Sequence, residues 1–340
     1  MKKIIYLVQR FRPSMEATSK EVDNLYGHFK KISMIHDLHI DGIQNFKFSK
    51  NLISYHFIFY PIFFLFLRLL SLKRILHVYT SLLDTPYLPF LSKKRMILTS
   101  TNYFSKERIK KRIKYLKKVK KIIVESDIQK KELVSLGIKE EKLALIYPSV
   151  DVEKFKYEKT KGKFKILNAT CPSKLKDFEK RGIFLLLNCD KHLKDTTLNL
   201  AWRQGQHFID KTIKNKKFDS IVIKHRIIKD MNQEYAKNHC TIIPYTKFDE
   251  YLKLMPLSAI ESLAAGKPIL VSSQTGMAEI VRKEKCGVIF NPDIRSLLAA
   301  IKDLKKNYMI YQKNCQKTVN KYFLKRVFIK KYTKIYKDLK

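Results

Sequence analysis

A single carboxylate, Glu261, lies in the stretch KLMPLSAIESLAAGKPILVS, which runs from Lys253 to Ser272. Pro256 can neither continue a strand nor sit inside a helix, so it predicts a helix that begins at Leu257 or Ser258. The N–H groups and the positive dipole end of such a helix form an anion site. Glu261 lies about one turn further in and can accept hydrogen bonds from a diol. A phosphate at the helix tip beside a carboxylate that holds sugar hydroxyls would form a nucleotide-sugar site.

The elements that position this helix alternate along the chain. Short apolar runs such as ILHVYT (75–80), RMILTST (95–101) and KKIIVES (120–126) are separated by amphipathic segments, and a second set of runs follows: KFKILNAT, GIFLLLNC, TLNLAWR, SIVIKH, CTIIPYT, PILVS and CGVIF. This pattern predicts parallel sheets covered by helices on both faces. We therefore expect an α/β protein of two doubly wound domains that face a cleft. The polar stretch KYEKTKGK at 156–163 is the predicted linker.

Composition limits the class of protein. A length of 340 residues with 45% hydrophobic residues suits two packed domains. The formal net charge of +39 has four competing explanations: a nucleic-acid partner, an anionic membrane surface, anionic substrates or a general lysine bias. No zinc-finger, basic-zipper or RNA-recognition pattern is present, so no specific nucleic-acid partner is expected. The five dispersed cysteines predict reduced thiols in a cytoplasmic protein.

One apolar segment raises the question of a membrane. The run FIFYPIFFLFLRLLSL occupies residues 57–72, but its uninterrupted core from Phe57 to Leu67 is shorter than the ~20 residues that span a bilayer. His56, Pro61 and Arg68 further disfavour a transmembrane helix. The segment predicts a buried or interfacial helix, and its aromatic residues make it the best candidate for contact with a membrane surface.

Three segments resemble the retaining glycosyltransferases of family 4, which have the GT-B fold of two Rossmann-like domains. The segment IESLAAGKPILVSSQTGMAEIVRKEKCGVIFNPD resembles the donor-site block of that family. KKIIVESDIQKKELVSLGIKEEKLALIYPSVDVEKF is similar to the segment that crosses between the domains, and FEKRGIFLLL to the start of a helix that faces the donor diphosphate. The resemblance implies an acceptor-binding domain at 1–158, a donor-binding domain at 159–318, and a final helix at 319–340 that packs back on the first domain.

The resemblance also implies roles for single residues. Glu261 would hold the nucleotide ribose, Arg181 would neutralise the donor diphosphate, and Lys174 would be a second phosphate-binding cation. Leu257 and Ser258 at the helix tip and Gly276 in the following turn complete the predicted donor-binding set. Because cationic side chains and a helix end take the place of a metal in such enzymes, no metal and no cofactor are expected.

The chain also departs from the family pattern. The family usually has a second glutamate eight positions before the first, and Lys253 occupies that place here. Glu250 or Asp249 could enter the sugar pocket instead, and we favour Glu250. Asn102 or Thr101 stands where many relatives carry a histidine beside the reaction centre. With Arg181, Glu250 and Asn102 form the predicted catalytic set.

These features favour an enzyme of cell-envelope polysaccharide biosynthesis. It would move a sugar from a nucleotide-sugar donor to a glycan or lipid-linked acceptor with retention of anomeric configuration. We expect it in the cytoplasm or peripherally on the inner face of the cell membrane. The missing glutamate and histidine leave open a non-catalytic binding protein of a glycan-assembly complex, and the charge leaves open a basic nucleic-acid-binding protein.

Overall fold

The structure is a computed structural model. It describes residues 2–8, 11, 17–38, 48–49, 52–55, 60–79, 95–170, 172, 175–202, 213, 217–249 and 252–339. The chain divides into two units, the first of Met1–Pro148, Glu250–Leu254 and Lys325–Lys340 and the second of Ser149–Asp249 and Met255–Leu324. The division falls after Pro148, whereas the sequence predicts it after residue 158, and the described residues 252–254 belong to the first unit.

The first unit contains an eight-stranded sheet. Its strands are Ile4–Val8 (β1), Ser33–Leu38 (β2), Phe48–Ser49 (β3), Leu52–Tyr55 (β4), Ile75–Tyr79 (β5), Met96–Ser100 (β6), Lys121–Val124 (β7) and Leu143–Leu145 (β8). They lie in the order β3-β4-β2-β1-β5-β6-β7-β8, and all neighbours are parallel except β3 and β4. The central strands are buried on both faces, which is why they read as continuous apolar runs.

Helices cover both faces of this sheet. They are Ala17–Phe29 (α1), Tyr60–Ser71 (α2), Lys106–Leu116 (α3), Asp127–Ser135 (α4) and the last helix of the chain, Lys325–Asp338 (α12). One apolar cluster joins α2, α3 and α4 to side chains such as Leu7 and Leu98, and another joins α1 and α12 to Tyr6 and Ile97. Because successive strand residues point to opposite faces, α2, α3 and α4 lie on one side of the sheet and α1 and α12 on the other.

The end of the chain is two helices rather than one. The segment predicted as a single helix over 319–340 breaks after Tyr322, at Phe323–Leu324, where the backbone of Phe323 accepts a hydrogen bond from Val150. The helix α12 is then fixed to the first sheet by a buried polar network. His77 Nδ1 lies 2.7 Å from Tyr336 Oη and His77 Nε2 lies 2.7 Å from Thr99 Oγ1.

This network predicts that the first unit loses stability in acid. Burial lowers the pKa of His77 to about 3, whereas an unfolded histidine titrates near 6.5. The unfolded chain therefore binds a proton that the folded chain does not, and the free energy of unfolding falls as the pH drops from about 6.5 towards 3. We expect His77 alone to account for a loss of about 2 kcal/mol between pH 7 and pH 5 in urea unfolding followed by circular dichroism.

The variant His77→Gln tests this directly. It should be less stable than the wild type at pH 7 but should show a shallower fall in acid, since its buried side chain takes up no proton. An unchanged pH dependence in this variant would assign the acid sensitivity to other groups, His36 among them, whose pKa burial lowers to about 4.

The second unit contains a six-stranded sheet in which all paired strands are parallel. Its strands are Phe164–Asn168 (β9), Thr196–Ala201 (β10), Ile221–Lys224 (β11), Cys240–Ile243 (β12), Ile269–Ser272 (β13) and Gly287–Phe290 (β14). Its helices are Lys176–Lys180 (α5), Ile183–Asn188 (α6), Met231–Ala236 (α7), Leu257–Ala264 (α8), Met277–Glu284 (α9), Ile294–Lys306 (α10) and Tyr308–Tyr322 (α11). The order β11-β10-β9-β12-β13-β14 reverses between β9 and β12, the position at which open α/β sheets bind ligands.

The apolar run GIFLLLNC is not one of the short strands. It forms the helix α6, as the family resemblance implies, because a short apolar run fits a buried strand and a buried helix equally well. No helix in the described ranges combines the length and the apolar character that a bilayer span requires. The four described cysteines, Cys189, Cys240, Cys286 and Cys315, are unbridged and buried, and Cys171 lies outside the described residues.

Candidate functional site

The predicted donor-binding residues of the second unit follow three neighbouring strands. Arg181 follows β9, the helix α8 follows β12, and Gly276 follows β13. These three strands are adjacent at the centre of the sheet. Because all are parallel, the segments that leave their carboxyl ends emerge at one edge, at the point where the strand order reverses.

The helix α8 begins where the sequence predicts. It spans Leu257–Ala264 with Pro256 as the preceding cap residue, whose carbonyl accepts a hydrogen bond from Ala259 N at 3.1 Å. The N–H groups of Leu257 and Ser258 lie in the first turn, where a helix offers no internal acceptor. Both residues are partly exposed.

Glu261 is held by Tyr235, a partner that no local sequence pattern indicates. Its carboxylate Oε2 accepts a hydrogen bond of 3.0 Å from Tyr235 Oη, on α7, which also lies 3.2 Å from the carbonyl oxygen of Ser258. The Tyr235 hydroxyl has one proton, and the charged carboxylate is the stronger acceptor. Burial, with the nearby carboxylate, raises the pKa of Tyr235 well above its ordinary value, so the phenol remains a donor. Only 8% of Glu261 is exposed, which means that its carboxylate has a fixed orientation.

Arg181 lies at the junction of two short helices. Its Nε is 3.9 Å from Asp177 Oδ2, and Asp177 also lies 3.4 Å from Lys180 Nζ. Within the described part of the chain, Arg181 Nε is buried without a hydrogen-bond partner. Two cations thus share one carboxylate, and the excess positive charge suits an anionic ligand.

Gly182 fixes this junction against the end of β12. Its φ of +69° is left-handed, and a Cβ at this position would lie 1.7 Å from the carbonyl oxygen of Pro244. Only glycine allows this approach. Thr246 strengthens the contact, since its N–H donates to Lys180 O at 3.1 Å. The Arg181 junction and the loop after β12 are therefore packed together at the strand-order reversal.

Of the other predicted donor residues, the structure describes Gly276 but not Lys174. Gly276 precedes α9 with φ −66°, a conformation open to any residue, so no backbone strain explains a glycine here. Lys174 and Glu250 lie outside the described residues. Asp249, the alternative to Glu250, is half-buried at the end of the second unit's segment before 250–254.

The Gly266-Lys267-Pro268 motif fastens the predicted linker to the second unit. Gly266 ends α8 with φ +68° and packs against Tyr157, whose Cδ2 would lie 2.8 Å from an added Cβ. Lys267 Nζ donates to Glu158 O at 2.5 Å and to Thr160 Oγ1 at 2.6 Å. Burial lowers the pKa of Lys267 to about 8. The motif therefore anchors residues 157–160 at the far end of the helix from the predicted phosphate site.

Asn102 belongs to the first unit, in the loop after β6. Its carbonyl oxygen accepts hydrogen bonds from Gln129 Nε2 at 2.9 Å and Ser100 Oγ at 3.3 Å. The neighbouring Thr101 is buried, with its hydroxyl 3.3 Å from Thr18 Oγ1. The backbone of Asn102 is therefore fixed by hydrogen bonds at the carboxyl edge of the first sheet, and its side chain is half-buried.

Lys253 binds two carboxylates of the first unit. Its Nζ forms an ion pair with Glu21 Oε1 and lies 3.2 Å from Glu125 Oε2. The exposed fractions of the three side chains are 13%, 2% and 4%. Burial alone would lower the pKa of Lys253, but the two carboxylates outweigh it and the pKa is raised. A hydrogen bond of 2.8 Å from Tyr103 N to Leu252 O fixes the same segment.

The second unit also matches a known family. Residues 174–307 match the family model described as glycosyl transferases group 1. The chain carries a group 1 glycosyltransferase domain. The resemblance drawn from the sequence is confirmed, and this domain includes Arg181, Tyr235, Glu261 and Gly276. No curated protein sequence matches the chain significantly.

Solved structures extend the likeness over the whole chain. HepE from Anabaena, in complex with UDP and glucose, is 12% identical with a TM-score of 0.74, covering 99% of this chain and 100% of its own. Sucrose-phosphate synthase from Thermosynechococcus elongatus is 13% identical with a TM-score of 0.76, covering 99% of both chains. WaaG, a glycosyltransferase involved in lipopolysaccharide biosynthesis, is 9% identical with a TM-score of 0.71, covering 97% of this chain and 99% of its own. The group 1 domain is therefore part of a GT-B fold, and the predicted two-domain α/β class is confirmed.

Proposed function

We propose that this protein transfers a sugar from a nucleotide-sugar donor to a glycan or lipid-linked acceptor, with retention of anomeric configuration and without a metal. One observation carries the proposal: the oriented carboxylate of Glu261 lies one turn from a partly exposed helix tip, at the strand-order reversal of a group 1 glycosyltransferase domain. A ribose diol would bind Glu261, and a diphosphate would bind the N–H groups of Leu257 and Ser258.

Arg181 would supply charge to the same donor. Its guanidinium is already paired loosely with Asp177, at 3.9 Å, and a diphosphate oxygen would be a stronger partner. During transfer the leaving diphosphate gains negative charge, which cations and helix N–H groups stabilise. These groups can do the work of a metal, which is why we propose that none is needed.

The similar structures support the donor and acceptor classes. HepE was solved with UDP-glucose, and WaaG is involved in lipopolysaccharide biosynthesis. By analogy we propose a uridine diphosphate sugar as donor and an acceptor of the cell envelope, with the protein in the cytoplasm or on the inner face of the membrane. Glu250 and Asn102 remain the proposed catalytic residues beside Arg181.

The proposal is tested by offering a panel of nucleotide sugars in the presence of EDTA. We expect one donor to be consumed, by slow hydrolysis alone or by transfer when an acceptor is supplied. The H1–H2 coupling of the glycoside formed by transfer should match that of the donor. Arg181→Gln should weaken binding of a nucleoside diphosphate about tenfold and that of the matching nucleoside much less, since it removes a charge-assisted contact with phosphate.

A second candidate is a non-catalytic binding protein. It is favoured by Lys253, which takes the place of the family's second glutamate and forms ion pairs with Glu21 and Glu125. If the protein binds a nucleoside diphosphate but consumes no donor in the panel, this candidate replaces the transferase.

A further inference from the structure

The helix α2 is apolar on two opposite faces. Phe63, Phe64 and Leu67 are buried in the core of the first unit. Five other apolar side chains are exposed, four within the helix and Leu72 just beyond its end. The exposed fractions of Ile62, Leu65, Phe66, Leu69 and Leu72 are 74%, 62%, 46%, 60% and 57%. At about 100° per residue, these five side chains form one stripe on the side away from the core. We call it the α2 stripe.

An exposed apolar stripe of this kind indicates a binding surface. A helix that is apolar all round is normally buried, and a contiguous exposed apolar surface marks an interface. Other exposed large apolar residues in the described chain lie scattered on different elements, whereas the α2 stripe gathers five within eleven residues.

A second helix on the same side of the sheet indicates the chemistry of the partner. The helix α3 packs on the same apolar cluster as α2, so the outer faces of both point away from the same face of the sheet. The outer face of α3 and the turn after it is cationic: Lys106, Lys110, Lys111, Lys114, Lys117 and Lys118 are exposed, with Glu107 as the one exposed acid among them. An apolar stripe and a lysine row on the same side of one sheet match an anionic bilayer, in which acyl chains lie beneath phosphate headgroups.

We propose that the α2–α3 side of the first unit docks on an anionic lipid bilayer. The α2 stripe enters the boundary between headgroups and acyl chains, and the lysines of α3 contact lipid phosphates. The proposed function includes association with the membrane, and this proposal names the surface of the protein that makes the contact. It does not depend on donor binding, because vesicle binding is measured without any nucleotide.

The test uses the full-length protein and vesicles of phosphatidylcholine with or without phosphatidylglycerol. The wild type should bind the anionic vesicles, and binding should weaken as salt is raised. Ile62→Ser with Leu65→Ser should lower the partition coefficient at least tenfold, since it removes two inserting side chains. Met309→Ser with Ile310→Ser is the matched control, because these residues are 70% and 58% exposed on α11 of the second unit, and it should change binding less than twofold.

The charge contribution has its own pair of variants. Lys111→Gln with Lys114→Gln should weaken binding to anionic vesicles by roughly fivefold per lysine. Lys313→Gln with Lys317→Gln makes the same change in net charge at exposed positions of α11 and should have little effect. Equal losses in the two pairs would mean that the overall charge of the protein, rather than the α2–α3 side, attracts the bilayer.

Two other occupants of the α2 stripe would overturn the proposal. If a second copy covers it, the wild type is a dimer by light scattering, the stripe variant is a monomer, and neither binds vesicles. If another part of this chain covers it, the stripe variant melts many degrees lower than the wild type. A melting temperature within about two degrees of the wild type is expected for substitutions at exposed positions.

Discussion

Glu261→Gln is expected to weaken binding of a nucleoside diphosphate roughly 50-fold. The substitution keeps the size of the side chain but replaces a charged acceptor with a neutral amide, so two hydrogen bonds to the ribose diol lose their charge assistance. UDP, GDP and ADP are titrated calorimetrically, and the nucleotide that the wild type binds best is used for the variants.

The ribose assignment can be separated from a general loss of affinity. If Glu261 accepts a hydrogen bond from the 2′-hydroxyl, the wild type binds the 2′-deoxy nucleotide less tightly than the ribonucleotide, by about tenfold. Glu261→Gln should largely lose this preference. A variant that discriminates as strongly as the wild type would show that Glu261 does not contact this hydroxyl.

Two control variants are compared with Glu261→Gln for their loss of nucleotide affinity. Tyr235→Phe removes the hydroxyl that orients Glu261 but leaves the carboxylate, so a smaller loss of about three- to tenfold is expected. Glu153→Gln removes the same charge from an exposed position of the second unit and should leave the affinity within twofold of the wild type. The order Glu261→Gln, Tyr235→Phe, Glu153→Gln, from largest to smallest loss, is the outcome that supports an oriented carboxylate at the ribose.

Local features of the site could be predicted from the sequence because they depend on neighbouring residues. Pro256 sets the start of α8, and Gly266 provides the left-handed residue that ends it. Continuous apolar runs predict buried strands such as β5, β6 and β7, which the structure contains at nearly the same bounds. Each of these inferences needs only a window of a few residues.

Contacts between distant parts of the chain were beyond such windows. Tyr235 reaches Glu261 across 26 residues, and Lys253 reaches Glu21 across 232. Nothing in the local pattern of a tyrosine on a short helix, or of a lysine in a polar loop, indicates these partners. The run at 183–188 is ambiguous for a different reason, because a short apolar run fits a buried strand and a buried helix equally well.

Lys253→Met is expected to lower the free energy of unfolding of the first unit by about 3–5 kcal/mol, because it leaves Glu21 and Glu125 buried without a countercharge. Burial and the charge of Glu21 already raise the pKa of Glu125 well above its usual range, and Lys253 is the group that opposes this. Lys253→Glu, which restores the residue usual in the family, should cost more still, since it places three carboxylates together. Urea unfolding of the full-length protein measures both variants.

The pH dependence and a compensating variant distinguish this electrostatic explanation from a loss of packing. Burial already raises the pKa of Glu125, and without Lys253 nothing opposes this, so the folded state binds a proton on Glu125 more readily than the unfolded state does. The stability of Lys253→Met should therefore recover towards that of the wild type as the pH falls from 8 to 5. Lys253→Met combined with Glu21→Met and Glu125→Met should recover most of the lost stability at pH 7, because no charge is left buried. Lys130→Met, which breaks an exposed pair of 2.6 Å with Glu140, is the matched control and should cost at most about 1 kcal/mol. If the triple variant is no more stable than Lys253→Met, then Lys253 stabilises the fold through the packing of its side chain. In that case the charge of Lys253 does not contribute to the free energy of unfolding.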